Sequence, residues 1–186
     1  MARRRVDVLT REDVRGMLRD FCLSLGGRVE EMPFPSEFAC DVDPRRVMAR
    51  FKKFEELVRS AKDSGINRIY FGEHDAYFFA YPEEGEAGFI LTYDTEEIPE
   101  EAGEKFQEEL VAEFYDHMEA SGYTPEFGFI PRVEYGGDYV DVEALVTMEE
   151  LEDLKGIAEA MLAFKGKLRK LMKEYGVRAK VYAEFL

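Results

Sequence analysis

The chain has 186 residues, with 40 acidic against 25 basic side chains and a formal net charge of −15. An apolar share of 46% excludes a disordered chain, and the length is enough to bury a real core. No apolar run approaches the ~18 residues that a membrane span needs, and the basic N-terminus lacks the apolar stretch of a secretory signal. The composition therefore predicts a cytoplasmic globular protein with no membrane partner.

Amide side chains are almost absent, since Asn67 and Gln107 are the single asparagine and the single glutamine. Amides are heat-labile, and their loss beside abundant Glu, Lys and Arg is typical of thermophilic proteins. The two cysteines, Cys22 and Cys40, stand among apolar neighbours. A disulfide between them is one alternative, but a core of this size does not need one. We expect two reduced, buried thiols.

Apolar residues at helical spacing predict four helices, and short β-rich runs lie between them. The first helix begins at a capping box formed by Thr10 and Asp13. Pro125 and Pro131 predict that the strand containing them is interrupted or lies at a sheet edge. The predicted helices cover residues 10–25, 44–64, 99–121 and 147–175. The predicted strands cover residues 28–32, 36–42, 66–71, 76–81, 87–93, 123–135, 139–146 and 177–185.

From residue 87 onward the elements follow the order β-α-β-β-α-β of the ferredoxin-like motif. The segment 36–81 reads β-α-β-β, a partial echo of the same unit. We therefore predict an α+β fold, an antiparallel sheet sandwich of βαββ-type units with helices packed on the sheet and a ferredoxin-like second half. We expect a single compact domain over 1–186, with 1–86 and 87–186 as candidate sub-units.

The fourth predicted helix is too long for the sheet beside it. A helix over 148–175 spans roughly 40 Å, whereas a nine-residue strand spans about 30 Å. The helix bends near Gly166, or the segment is two helices, or the helix overhangs the sheet. In the last case its heptad-like apolar stripe packs against a helix of another subunit. The overhang and the aromatic strands together predict a homo-oligomer.

The second predicted helix is the basic exception in an acidic chain. Arg45 and Arg46 lie in its first turn, where the helix dipole already presents positive potential. A bound anion there would satisfy both the backbone N–H groups and the arginines. We predict an anion-binding set of Arg45, Arg46, Arg50 and Lys53. The alternative is the solvated side of an amphipathic helix.

Histidine is scarce, and His74 lies in a turn between two aromatic strands. With its neighbours Glu73 and Asp75 it forms a candidate catalytic set, because histidine and carboxylates perform acid–base chemistry. Parallel strands would bring Asp41 and Asp43 to the same edge of the sheet. His74, Asp41 and Asp43 are therefore a candidate metal site. The alternative is a polar hairpin tip.

Two further features have ordinary structural explanations. His117 flanks the apolar face of the third helix, so we expect a partly buried, hydrogen-bonded histidine. Asp141 and Glu143 share a strand face and are a candidate carboxylate pair, but such alternation is also typical of a half-solvated strand. The chain has no GxGxxG, GxxxxGK or GxSxG motif, which argues against the common nucleotide-binding and hydrolase sites.

These observations favour an oligomeric binding or interaction module whose ligand is a small anion. The first alternative is a small enzyme that uses the His74 turn. The second is a nucleic-acid-binding protein that uses the basic second helix, and the net charge of −15 disfavours it. The sequence identifies no cofactor.

Overall fold

The computed structural model describes residues 9–124, 128–133 and 137–180. Within these ranges the chain forms five α-helices and seven β-strands. The helices are α1 (Arg11–Ser24), α2 (Pro44–Ala49), α3 (Phe51–Ala61), α4 (Glu100–Ala120) and α5 (Leu154–Glu174). The strands are β1 (Arg28–Glu30), β2 (Glu37–Asp41), β3 (Arg68–Glu73), β4 (Ala76–Tyr81), β5 (Glu86–Asp94), β6 (Gly128–Val133) and β7 (Tyr139–Thr147). Short 3-10 helices cover Pro82–Glu84 and Met148–Asp153.

The seven strands form one sheet in the order β1-β2-β3-β4-β5-β7-β6, with helices packed on it. The predicted α+β fold is confirmed. The sheet is mixed rather than antiparallel throughout, because β2 and β3 pair in parallel while β1–β2 and β6–β7 pair antiparallel. Two parallel neighbours need a crossover connection, and α2 and α3 supply it.

The two βαββ segments share their order of elements but differ in strand topology. In the first, β3 lies directly beside β2. In the second, β7 lies between β5 and β6, which is the split βαβ arrangement of the ferredoxin-like motif. The predicted last strand appears in the described residues as a single antiparallel bridge between Thr95 and Ala179. Its residues 181–185, like the start of the predicted 136–138 hairpin, lie outside them.

Strand β6 lies at one edge of the sheet, as the proline at position 131 predicts. The single glutamine of the chain covers this edge from α4. The Gln107 Nε2 donates to the Pro131 carbonyl at 3.0 Å, and the Val133 N–H donates to Gln107 Oε1 at 2.6 Å. One amide side chain thus satisfies two backbone groups that an edge strand would otherwise leave without partners.

By its internal contacts the described chain divides into two compact units. The first unit comprises the residues up to Glu73, Phe78–Ala87 and Thr147–Glu152. The second comprises His74–Tyr77, Gly88–Val146 and the residues from Asp153 onward. The predicted sub-units did not anticipate that the short segment at 147–152 packs with the first unit. No helix in the described ranges is both long and apolar enough to cross a membrane.

Aromatic side chains fill the core of the first unit. Phe54 contacts Phe71 and Phe78 with ring centroids 5.5 Å apart, and Phe38 stacks on Phe71 at 5.7 Å. Such offset and edge-on contacts add to the free energy gained by burying the rings. Phe114 has the corresponding place in the second unit, where it packs edge-on against Phe164 at 5.3 Å.

The predicted second helix is wrong as a single element, because it breaks at Arg50. This residue has φ −123° and ψ 33°, outside the helical region, and it separates α2 from α3. Apolar residues keep helical spacing across the break, since Val47, Phe51 and Phe54 are all buried. Hydrophobic periodicity therefore gives no sign of it.

The length conflict at the fourth predicted helix is resolved by its first residues, which form the 3-10 helix Met148–Asp153. The remaining α5 has 21 residues, or about 31 Å, which matches the nine-residue β7. The helix runs through Gly166 without interruption. Its apolar stripe is buried within the chain, partly against α4. The stripe therefore needs no second subunit to cover it, and the homo-oligomer stays a prediction without this support.

The two cysteines are joined, contrary to the expectation of free thiols. The Cys22–Cys40 disulfide links α1 to β2, and both residues are buried. Gly27 packs against the bridge so closely that a Cβ at this position would lie 2.6 Å from Cys40 Sγ. The fold brings Cys22 and Cys40 close enough to form the bond. Their separation of 18 residues in sequence did not reveal this proximity.

Reduction of this disulfide is expected to lower the free energy of unfolding by about 3 kcal/mol, because the bond closes a loop of intermediate length in the unfolded chain. Guanidinium unfolding with and without reductant measures the difference. The Cys22→Ala/Cys40→Ala variant serves as the control, since reductant must leave its unfolding midpoint unchanged. Equal midpoints for the wild type in both conditions would show that the bond is absent or contributes nothing.

Substitution of Gln107 by glutamate is expected to destabilise the fold by about 1–3 kcal/mol, the cost of leaving a buried partner unsatisfied. The carboxylate can still accept from Val133 N–H, but it cannot donate to the Pro131 carbonyl. Thermal unfolding compares Gln107→Glu with the exposed-site control Glu104→Gln, which exchanges the same two groups in the opposite sense. A Gln107→Glu variant as stable as the wild type would contradict the edge-covering role.

Candidate functional site

The start of α2, where the sequence predicts a bound anion, is already served by the chain itself. Asp43 Oδ1 accepts a hydrogen bond from Arg45 N–H at 2.9 Å and lies 3.4 Å from Arg45 Nε. Asp43 therefore supplies the negative charge that the prediction assigned to a ligand. Arg46 Nη1 donates to the Leu25 carbonyl at 2.9 Å, at the C-terminus of α1. A cation is favourable at that end of a helix.

The two remaining residues of the predicted anion set lie at the break between α2 and α3 and beyond it. The Arg50 guanidinium lies 5.8 Å from the ring centroid of Phe21, a cation–π distance. Lys53 is exposed on α3. Three of the four predicted residues thus have partners inside the chain, and these contacts favour the structural explanation of the basic helix.

The predicted catalytic set lies at the hairpin between β3 and β4. Glu73 ends β3, and His74 and Asp75 form a two-residue turn. Glu73 and His74 are exposed, whereas Asp75 is half-buried and its carboxylate lies 2.8 Å from Lys165 Nζ. Asp75 therefore differs from Glu73 and His74 in that its carboxylate forms an ion pair within the second unit. The catalytic role of the set stays a prediction.

The predicted metal site receives no support from the geometry. Asp41 Oδ2 lies 3.3 Å from Arg28 Nη2, and Asp43 is the N-cap of α2, so both carboxylates have other partners. In the parts of the chain that the structure describes, which include His74, no three His, Cys, Asp or Glu side chains form a group able to hold a metal ion.

His117 is hydrogen-bonded and half-buried, as expected. Its Nε2 lies 2.7 Å from the Ala160 carbonyl, which can only accept, so Nε2 carries the proton. Nδ1 then accepts from Lys167 Nζ at 3.5 Å. Both ring nitrogens have partners, and α4 is thereby tied to α5.

Asp141, one of the candidate carboxylate pair, is half-buried on β7. Burial raises the pKa of its carboxyl above the usual value of 3.8. The hydrogen bond from Thr92 Oγ1 and the charge of Arg132 lower this pKa, and the nearby Asp94 raises it. The Asp141 carboxylate is thus hydrogen-bonded by a neighbouring strand of its own sheet, as expected for a half-solvated strand.

A cleft of about 710 Å³ lies at the C-terminal end of α5, within the second unit. Its size falls in the range of small-molecule sites. We call it the α5 cleft. Four cations line it, and Tyr93, Met172 and Val177 give it an apolar part. The four cations are Arg169, Lys170, Lys173 and Arg178.

The four cations of the α5 cleft are exposed and have no carboxylate partner among residues 9–124, 128–133 and 137–180. No ion pair involves any of them within the described residues. This concentration of positive charge stands in a chain of net charge −15. Uncompensated cations around a concave apolar surface attract an anion of matching size.

Tyr93 is the polar group of the apolar part. Its hydroxyl oxygen is buried and has no hydrogen-bond partner among the described residues. Burial and, to a smaller extent, the charge of Asp75 raise the pKa of Tyr93 to about 12, against the opposing charge of Arg169. The hydroxyl therefore stays protonated at ordinary pH, so it is available as a donor.

Sequence reasoning did not identify this cleft, for a definite reason. The basic end of α5 agrees with the helix dipole, so Arg169, Lys170 and Lys173 needed no function. Tyr93 belongs to a strand rich in aromatic residues, so the sequence predicts a core residue at this position. One signal was present: a further cation, Arg178, lies past the helix end, where the dipole no longer explains it.

No protein-family model, curated protein or solved structure matches the chain. Its function must therefore be inferred from the geometry of the α5 cleft and its surroundings.

Replacing Asp141 by asparagine is expected to stabilise the protein at neutral pH. The folded pKa of Asp141 is raised, so its contribution to stability is present below pH 3.8 and is lost as the pH rises through the folded pKa. The advantage of Asp141→Asn should therefore vanish below about pH 4 and grow above it. Chemical unfolding across pH 3 to 8 measures this, with Glu104→Gln as the charge-matched control. A variant less stable than the wild type at pH 7 would contradict the burial cost.

Proposed function

We propose that this protein is a binding module for a small organic anion, held in the α5 cleft by its four cations and its apolar part. The observation that carries the proposal is a set of four cations, in an acidic chain, that form no ion pair within the part of the chain that the structure describes. The cleft at the end of α5 replaces the start of α2 as the expected place of binding, because Asp43 already supplies the negative charge there.

Several features of the cleft support a ligand with both charge and apolar surface. Met172 and Val177 are buried and line the cleft beside the cations. Apolar walls with a few convergent polar groups are the usual composition of small-molecule sites. Four cations favour a ligand with more than one negative charge, such as a phosphate monoester.

We also propose that the protein works in the cytoplasm of a heat-adapted organism. Amide depletion supports this. The Cys22–Cys40 disulfide is compatible with it, since intracellular proteins of hyperthermophiles are an exception to the rule that cytosolic thiols stay reduced.

Phenyl phosphate is a suitable probe, because it combines a phosphate monoester with an apolar ring. Isothermal titration calorimetry is expected to give a dissociation constant below about 1 mM, which corresponds to a binding free energy of about −4 kcal/mol or better. The Arg169→Glu/Lys173→Glu variant should bind at least tenfold more weakly, because two attractions become repulsions.

The matched control is Lys105→Glu/Lys155→Glu, which changes the net charge equally at exposed lysines outside the cleft. It should bind like the wild type. Equal weakening in both variants would show that the anion responds only to overall charge, and the proposed site would be abandoned. Absence of wild-type binding at millimolar probe would overturn the proposed function itself.

A further inference from the structure

Only two buried side-chain oxygens or nitrogens in the described residues have no hydrogen-bond partner, and both are hydroxyls. They are Tyr93 Oη and Thr95 Oγ1. A buried polar group without a partner is costly, so each such group in a folded protein calls for an explanation. Thr95 does not line the α5 cleft. Tyr93 does line the cleft.

Within the described residues, no side chain accepts a hydrogen bond from the Tyr93 hydroxyl. Asp75 is close enough for its charge to affect Tyr93. Its carboxylate, however, lies 2.8 Å from Lys165 Nζ and is engaged in that ion pair. Arg169 also affects Tyr93, and a guanidinium can only donate. The hydroxyl therefore stands among groups that leave its donor function unused.

The charges around this hydroxyl do not cancel. Lys165 compensates Asp75, whereas Arg169 has no carboxylate partner within the described part of the chain. One positive charge thus remains beside one unused donor. That combination fits an acceptor with a negative charge, since hydrogen bonds to charged groups are stronger than those between neutral groups.

We propose, on the basis of the proposed function, that Tyr93 is the specificity-determining donor of the α5 cleft: its hydroxyl and the Arg169 guanidinium together hold one oxyanion group of the ligand. The ligand class is therefore an organic oxyanion, a carboxylate or a phosphate monoester, whose apolar part lies toward Met172 and Val177. Lys170, Lys173 and Arg178 meet any further negative charge.

The conclusion that Tyr93 acts as a donor agrees with its raised pKa of about 12. A phenol with this pKa remains protonated through the neutral range. It offers a neutral O–H rather than a phenolate, which would repel the anion.

Tyr93→Phe removes the oxygen and keeps the ring. Affinity for phenyl phosphate is expected to fall about 10- to 100-fold, the ordinary effect of losing one hydrogen bond to a charged group. The guanidinium unfolding midpoint without ligand should equal or exceed that of the wild type, because an unsatisfied buried hydroxyl is removed. Tyr175→Phe is the matched control. It removes the hydroxyl of a half-buried tyrosine that does not line the cleft, and affinity should stay unchanged.

Benzoate and phenyl phosphate present the same ring with different oxyanions, and benzyl alcohol presents it without charge. The oxyanion with the larger ratio of wild-type to Tyr93→Phe affinity identifies the group that meets the hydroxyl. Benzyl alcohol should bind at least tenfold more weakly than either anion, because it leaves Arg169 without a countercharge.

The outcomes separate this inference from the proposed function. Unchanged affinity in Tyr93→Phe, with binding still lost in Arg169→Glu/Lys173→Glu, overturns the role of Tyr93 and leaves the anion site standing. A lower unfolding midpoint in Tyr93→Phe overturns it as well, because the hydroxyl then has a structural partner. If the wild type binds neither anion, both proposals fail.

Discussion

Burial of one side of α5 determines where the cations at its end lie. Leu168, Leu171 and Met172 are buried. With 3.6 residues per turn, Arg169, Lys170 and Lys173 therefore lie on the exposed side. Rotating the helix would put charges into the core and apolar side chains into water, at a cost of several kcal/mol. Core packing therefore fixes the cations at the cleft whether or not a ligand is present.

The same cations stabilise the unliganded protein and, in the proposed function, attract the ligand. Near the C-terminus of a helix, a lysine or arginine gains free energy from the dipole, so Arg169 and Lys173 need no carboxylate to be tolerated. The first unit uses the same principle differently, because Arg46 donates to Leu25 at the end of α1. The arginines at the start of α2 thus have partners within the chain, whereas the cations at the end of α5 remain exposed on the surface.

Much of the fold could be predicted because helical and strand periodicity report burial directly. The break at Arg50 escaped prediction, since apolar spacing continues across it. The Cys22–Cys40 bond escaped because contact between α1 and β2 is a tertiary fact. The cleft depends on contact between Tyr93 and the segment 169–179, which is distant from it in sequence. No local pattern around Tyr93 can show that its hydroxyl lacks a partner.

The most direct test of the anion site is an NMR titration of the ¹⁵N-labelled protein with phenyl phosphate. If the α5 cleft is the site, the largest amide shifts should appear at Gly176, Arg178 and Ala179. Amides at the start of α2 should hardly move. Largest shifts at Arg45 and Arg46, or small shifts spread over the whole surface, would contradict the central claim and return the anion to the basic helix or to bulk electrostatics.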